Sequence, residues 1–166
     1  MTPFQRILLG TDGTVTTLLE AFADEPIEAV KLSHAFGMST GDDTVLDIPL
    51  DTRVLRRRVV LRGGRTHRNL LYAEAVVVAD RAAPDLLDAL FHTDAPIGRL
   101  LAEQRTETFR EVLLVDREPA GACALHFGID PRAEVVFRTY RIVSDGRPLM
   151  LITEKFPLER FWWLPR

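Results

Sequence analysis

Two runs of β-branched and apolar residues, 53–62 and 69–79, flank Gly63-Gly64-Arg65-Thr66, and this pairing constrains the fold more than any other feature of the chain. Short alternating runs on either side of a glycine turn predict an antiparallel hairpin. Successive strand residues point to opposite faces, so each run divides into two rows. In 53–62 one row holds Val54, Arg56, Arg58, Val60 and Arg62, and the other Arg53, Leu55, Arg57, Val59 and Leu61. The second row is the apolar one and is expected to face inward, carrying Arg57 with it. Residues 149–156 repeat the pattern, with Glu154 in a row with Met150, Ile152 and Phe156. In the hairpin partner, Glu74 shares a row with Leu70, Tyr72, Val76 and Val78, a position similar to that of Glu154. In 134–143 the rows are Val136, Arg138, Tyr140 and Ile142, and Val135, Phe137, Arg141 and Val143.

A guanidinium in an apolar row needs an anion, because an unpaired buried charge is very costly. Two readings of Arg57 stand open. It forms an internal ion pair with Glu154 or Glu74. Alternatively, the sheet encloses a polar pocket in which Arg57 holds a ligand carboxylate and a desolvated Glu154 is suited to proton transfer. Periodicity does not choose between them.

The remaining segments fill in an α+β chain. Gly10-Thr11-Asp12-Gly13 precedes a short helix, capped by Thr14 or Thr16, with Leu18, Leu19 and Phe22 on its inner face. Residues 26–36 are expected as a strand and 41–50 as a loop. Pro84 and Pro96 open two helices, through residues 91 and 103. Strands follow at 106–115, 134–143 and 149–156, the last two joined by the turn Ser144-Asp145-Gly146-Arg147. The expected architecture is a single domain over 1–166, with one mostly antiparallel sheet of about six strands and helices packed on it.

Composition narrows the function classes. The net charge of −3 gives no reason to expect nucleic acid or an anionic membrane as partner. No apolar stretch reaches the roughly 18 residues of a membrane span, and the start resembles no signal peptide. The lone cysteine, Cys123, allows no intrachain disulfide, which suits a reducing, cytoplasmic setting. His34, His67, His92 and His126 lack metal-ligand spacing, and neither metal nor cofactor is expected.

Five segments, in order, resemble the chorismate lyase family, most closely its actinobacterial branch. These are Gly13-Thr14-Val15-Thr16; the arginine strand Arg53-Val54-Leu55-Arg56-Arg57-Arg58-Val59-Val60-Leu61; Asp94-Ala95-Pro96-Ile97-Gly98-Arg99; Thr106-Glu107-Thr108-Phe109-Arg110-Glu111; and the closing hairpin from Tyr140 through Gly146-Arg147-Pro148 to Thr153-Glu154-Lys155-Phe156. The resemblance implies a sheet covered by helical flaps over a closed product site. It implies a monomer that converts chorismate to 4-hydroxybenzoate and pyruvate. It makes Arg57 the residue that grips the ligand carboxylate and Glu154 the carboxylate near the ring oxygen, as acid or as orienter. It makes Val15 and Ile97 positions whose backbone amides line the ligand, with Gly98 allowing close approach. Val15 stands where the family carries a bulkier residue. Two alternatives share the scaffold: a lyase or cyclase acting on another cyclic acid, and a non-catalytic domain that binds a small aromatic acid, on the fold that the ligand-sensing domains of some GntR-type repressors share by resemblance.

Overall fold

A computed structural model describes the backbone of residues 1–161 and side chains as far as Glu159. Phe161 and Trp162, which the sequence suggests as a hydrophobic end docking on the sheet, have side chains outside the described part of the chain. Six strands, β1 (Ile27–Met38), β2 (Arg53–Gly63), β3 (Asn69–Val78), β4 (Phe109–Pro119), β5 (Glu134–Ser144) and β6 (Arg147–Pro157), form one sheet in the order β1-β2-β3-β6-β5-β4. Every neighbouring pair is antiparallel. The expected α+β class and six-stranded sheet are borne out.

The β2–β3 hairpin closes where the glycines place it, and an acid side chain completes the turn. The carboxylate of Glu25 accepts from the amides of Arg65 (2.8 Å) and Thr66 (3.0 Å) and from the Thr66 hydroxyl (2.7 Å). A Cβ on Gly63 would lie 2.2 Å from a Glu25 carboxylate oxygen, so a side chain there would push that carboxylate off the turn.

Helices α1 (Pro3–Gly10), α2 (Val15–Ala23), α3 (Pro84–His92) and α4 (Ile97–Glu103) cover one face of the sheet in two flaps. Leu86 and Leu90 of α3 and Leu100 and Leu101 of α4 pack over Leu55, Val77, Ile142 and Met150. Leu8 and Leu9 of α1 and Leu19 of α2 pack over Leu61, Leu71, Val136 and Phe156. The opposite face is partly covered by α5 (Ala124–Phe127), which buries Val60, Tyr72 and Val135 with Cys123 and Phe127. That cover is why Val60, in the row expected to face outward, is 3% exposed.

Several boundaries differ from expectation. The start of the chain is a helix, signalled by the capping box in which Gln5 donates to Thr2 Oγ1 and Thr2 donates to Gln5 Oε1. Within the expected loop at 41–50, Gly41–Leu46 winds into a 3-10 turn, with Asp43 accepting from the Thr40 amide (2.8 Å). Strand β4 begins at Phe109 rather than at 106 and runs on to Pro119, because an edge strand needs no inward apolar row to mark it. Pro96 is the residue preceding α4 rather than its first turn.

Candidate functional site

The register places the inward charges on a common face. One cross-strand row runs Arg57, Ala75, Ile152, Tyr140, and the next runs Val59, Ala73, Glu154, Arg138. The central strand contributes only alanines to these rows, and the floor is low there. Above it lies a cavity walled by both flaps and lined by Arg57, Arg110, Tyr140 and Glu154 among mainly apolar neighbours.

Arg57 is 2% exposed. Its Nη2 donates to the carbonyls of Ala95 (2.9 Å) and Thr93 (3.4 Å), tying β2 to the chain that enters α4. Its Nε and Nη1 are buried without a partner among the described residues. Desolvation pulls its pKa down, and the charge of Asp94 opposes that. The expected ion pair with Glu154 or Glu74 does not form. Glu74 sits on the other face, opposite Arg58 in register, where it accepts from Tyr72 and lies 3.4 Å from Arg58. Its strand row was the outward one.

Glu154 faces the cavity as expected, but it is not alone in its row. Arg138 Nε donates to Oε2 (2.8 Å) and the Tyr140 hydroxyl donates to Oε1 (2.9 Å). Arg138 is itself 1% exposed and donates through Nη1 to the Thr11 carbonyl (2.7 Å). Burial pushes the Tyr140 hydroxyl far above the ordinary tyrosine range, with the Glu154 charge adding to it. Sequence reasoning placed Arg138 and Tyr140 together in one row but did not assign them to the site. The signal was their alternation with Val136 and Ile142, which matches that of Glu154.

Val15, Ile97 and Gly98 are brought to the same cavity. Val15 and Ile97 are the first residues of α2 and α4, where backbone amides lack intrahelical acceptors. Thr14 precedes α2 as expected, without a side-chain capping bond. A Cβ on Gly98 would meet Thr14 Cγ2 at 2.8 Å, so glycine lets the two flaps close on each other. The histidines lie apart: His34 against Phe91, His67 in the hairpin turn, His92 ending α3, and His126 stacked on Tyr72. Among the described residues no three His, Cys, Asp or Glu side chains converge as metal ligands, and no helix is long and apolar enough to cross a membrane.

The family described as chorismate pyruvate-lyase Rv2949c-like matches residues 9–164. The chain belongs to this chorismate pyruvate-lyase family. A relative named chorismate pyruvate-lyase, from Mycobacterium tuberculosis (strain H37Rv), is 32% identical over 155 residues, covering 91% of this chain and 78% of the relative. One of the same name from Mycobacterium leprae is 29% identical over 162 residues, covering 97% and 77%. Among solved structures, the effector domain of PhnF from Mycobacterium smegmatis superposes with a TM-score of 0.71 at 16% identity, covering 89% of this chain and 90% of that one. The C-terminal domain of a histidine utilization repressor from Pseudomonas syringae gives 0.66 at 19% identity, covering 84% and 97%. At such identities the likeness concerns the fold alone, and the family resemblance expected from the five segments stands on the sequence match.

Proposed function

We propose that the flap-covered cavity splits chorismate into 4-hydroxybenzoate and pyruvate. The observation that carries this reading is Arg57: a buried arginine on the cavity wall, with two guanidinium nitrogens unpartnered and no carboxylate in contact among the described residues. Desolvated, unpaired donors of this kind are matched by a ligand carboxylate, which accepts a charge-assisted hydrogen bond. Family membership says which acid to try first.

In the proposed pose the ring carboxylate lies on Arg57, and the amides at Val15 and Ile97 add donors along the flap edges. The ring hydroxyl, para to that carboxylate, lies toward Glu154. The ring carbon–oxygen bond to the three-carbon unit breaks, the proton leaves the carbon bearing the hydroxyl, and the ring becomes aromatic. The departing enolate takes up that proton on its methylene carbon and becomes pyruvate, so the substrate's atoms are divided between the two products. Aromatisation supplies the driving force, so the reaction calls for neither metal nor cofactor, and the protein's part is to position the substrate in a dry site. Both Glu154 oxygens already accept hydrogen bonds, which suits an acceptor that orients the ring hydroxyl better than a proton donor. The same reading takes the working unit to be a monomer in the cytoplasm, without nucleic acid or membrane as partner.

The test mixes purified protein with chorismate in the presence of a chelator and measures both products. Equal amounts of 4-hydroxybenzoate and pyruvate, formed faster than by spontaneous breakdown, are expected. No turnover, with 4-hydroxybenzoate still bound tightly, would replace the lyase by an aromatic-acid-binding domain.

A further inference from the structure

Arg110 of β4 belongs to the cavity although its strand lies at the sheet edge. It pairs in register with Ile142, on the face that carries Tyr140, and it lines the cavity wall. Its Nη1 donates to the Asp12 carbonyl (2.6 Å), holding the loop before α2. Its Nε is buried without a partner, and no acidic side chain pairs with it among the described residues. Glu111, the neighbouring acid on the strand, is committed to Arg141 on the opposite face (2.5 Å).

A charge count then discriminates. The charged side chains lining the cavity are Arg57, Arg110 and Glu154. Arg138, directly beside Glu154, neutralises that carboxylate. Two cations remain, reaching into the cavity from opposite sides: Arg57 from β2 and Arg110 from β4, strands whose backbones are four spacings, or about 19 Å, apart along the sheet. One carboxylate leaves the second cation unmatched, and two match both.

We propose that Arg110 receives the second carboxylate of a dianionic substrate, the one on the departing three-carbon unit. This rests on the lyase reading above. If the ring carboxylate lies on Arg57 and the ring hydroxyl lies toward Glu154, the ether oxygen on the adjacent ring carbon is at the Glu154 and Tyr140 end. The three-carbon unit then extends toward Arg110. Arg110 thereby separates substrate from product, since 4-hydroxybenzoate has no second carboxylate.

The experiment compares wild type with Arg110→Gln, which removes the charge and leaves a shorter neutral amide, and with Arg110→Lys. KM for chorismate is expected to rise about 100-fold in Arg110→Gln, the size expected for losing one partner of a buried charge pair. Affinity for 4-hydroxybenzoate is expected to stay within about twofold of wild type, because the lost contact is made only by the substrate. Arg110→Lys, which keeps the charge, is expected to recover part of the KM. An unchanged KM would overturn the proposal. So would a parallel loss of 4-hydroxybenzoate affinity, which would make Arg110 only the tether of the flap. If wild type itself fails to turn over chorismate, the lyase reading falls at that control, before the variants are compared.

Discussion

At the scale of single residues, the sheet holds two buried arginines in different states. Arg138 has Glu154 as counter-ion, whereas Arg57 has two backbone carbonyls and two free donors. Removing one side of the first pair strands the other as a buried charge. Glu154→Ala is therefore expected to cost about 3–5 kcal/mol of stability in denaturant unfolding. Adding Arg138→Met to it should recover much of that loss; no recovery would remove the ion pair as the cause. Arg57→Ala breaks no ion pair, so its fold should survive while kcat/KM for chorismate falls at least about 100-fold. Lysine at 57 should not restore it, because a point charge cannot imitate the guanidinium fork. Arg57 and Glu154 were legible in the sequence because each interrupts an apolar row. Their partners were not, because alternation reports which face a residue occupies and not which strand lies beside it. The β3–β6 pairing that brings Glu154 near Arg57's row, and the β5–β6 register that gives it Arg138, are long-range facts.

At the scale of elements, the flaps are held by the same arginines that face the cavity. Arg57 binds carbonyls at the entrance to α4, and Arg110 and Arg138 bind carbonyls between α1 and α2. Opening either flap breaks those bonds, which couples access to the charged groups. The seam between the flaps is Gly98 against Thr14. Gly98→Ala puts a methyl 2.8 Å from Thr14 Cγ2 and is expected to shift α2 from α4 and weaken 4-hydroxybenzoate binding by about tenfold, on the order of 1–2 kcal/mol of overpacking. Thr14→Ser in the same chain removes the offending carbon and should restore affinity; a titration showing no restoration would place the effect elsewhere. The helices behind proline signals, at Pro84 and Pro96, were visible in the sequence, as was the hairpin behind its glycines. The first helix was not, because its run of eight residues is short, although Thr2 and Gln5 mark its start with a capping box.

For the whole molecule, stability at low pH rests on carboxylates stitched into the frame. Glu25 is held below the ordinary carboxylate range by the Thr66 hydroxyl, with the Thr66 and Arg65 amides adding to that. Burial pushes Asp43 upward, but Arg56 and the Thr40 amide outweigh it, and its net shift is also downward. A lowered folded-state pKa contributes stability that is present above the unfolded value and lost as pH falls through the folded value. The melting temperature should therefore fall below about pH 4. Glu25→Gln should melt lower than wild type at pH 7 and show a shallower acid limb; parallel acid limbs would exclude Glu25 as a contributor.

The six-stranded sheet is a frame shared, by likeness of fold, with the effector domain of PhnF and the C-terminal domain of a histidine utilization repressor, so the cavity and not the frame distinguishes this chain. The proposed pose gives a ligand one direction between Arg57 and Glu154, and a crystal structure with 4-hydroxybenzoate bound reads that direction. The predicted result places the carboxylate against Arg57, accepting from one of its unpartnered donors, Nε or Nη1, and the hydroxyl on Glu154. A ligand with its carboxylate on Arg110, or one bound outside the cavity, would contradict it.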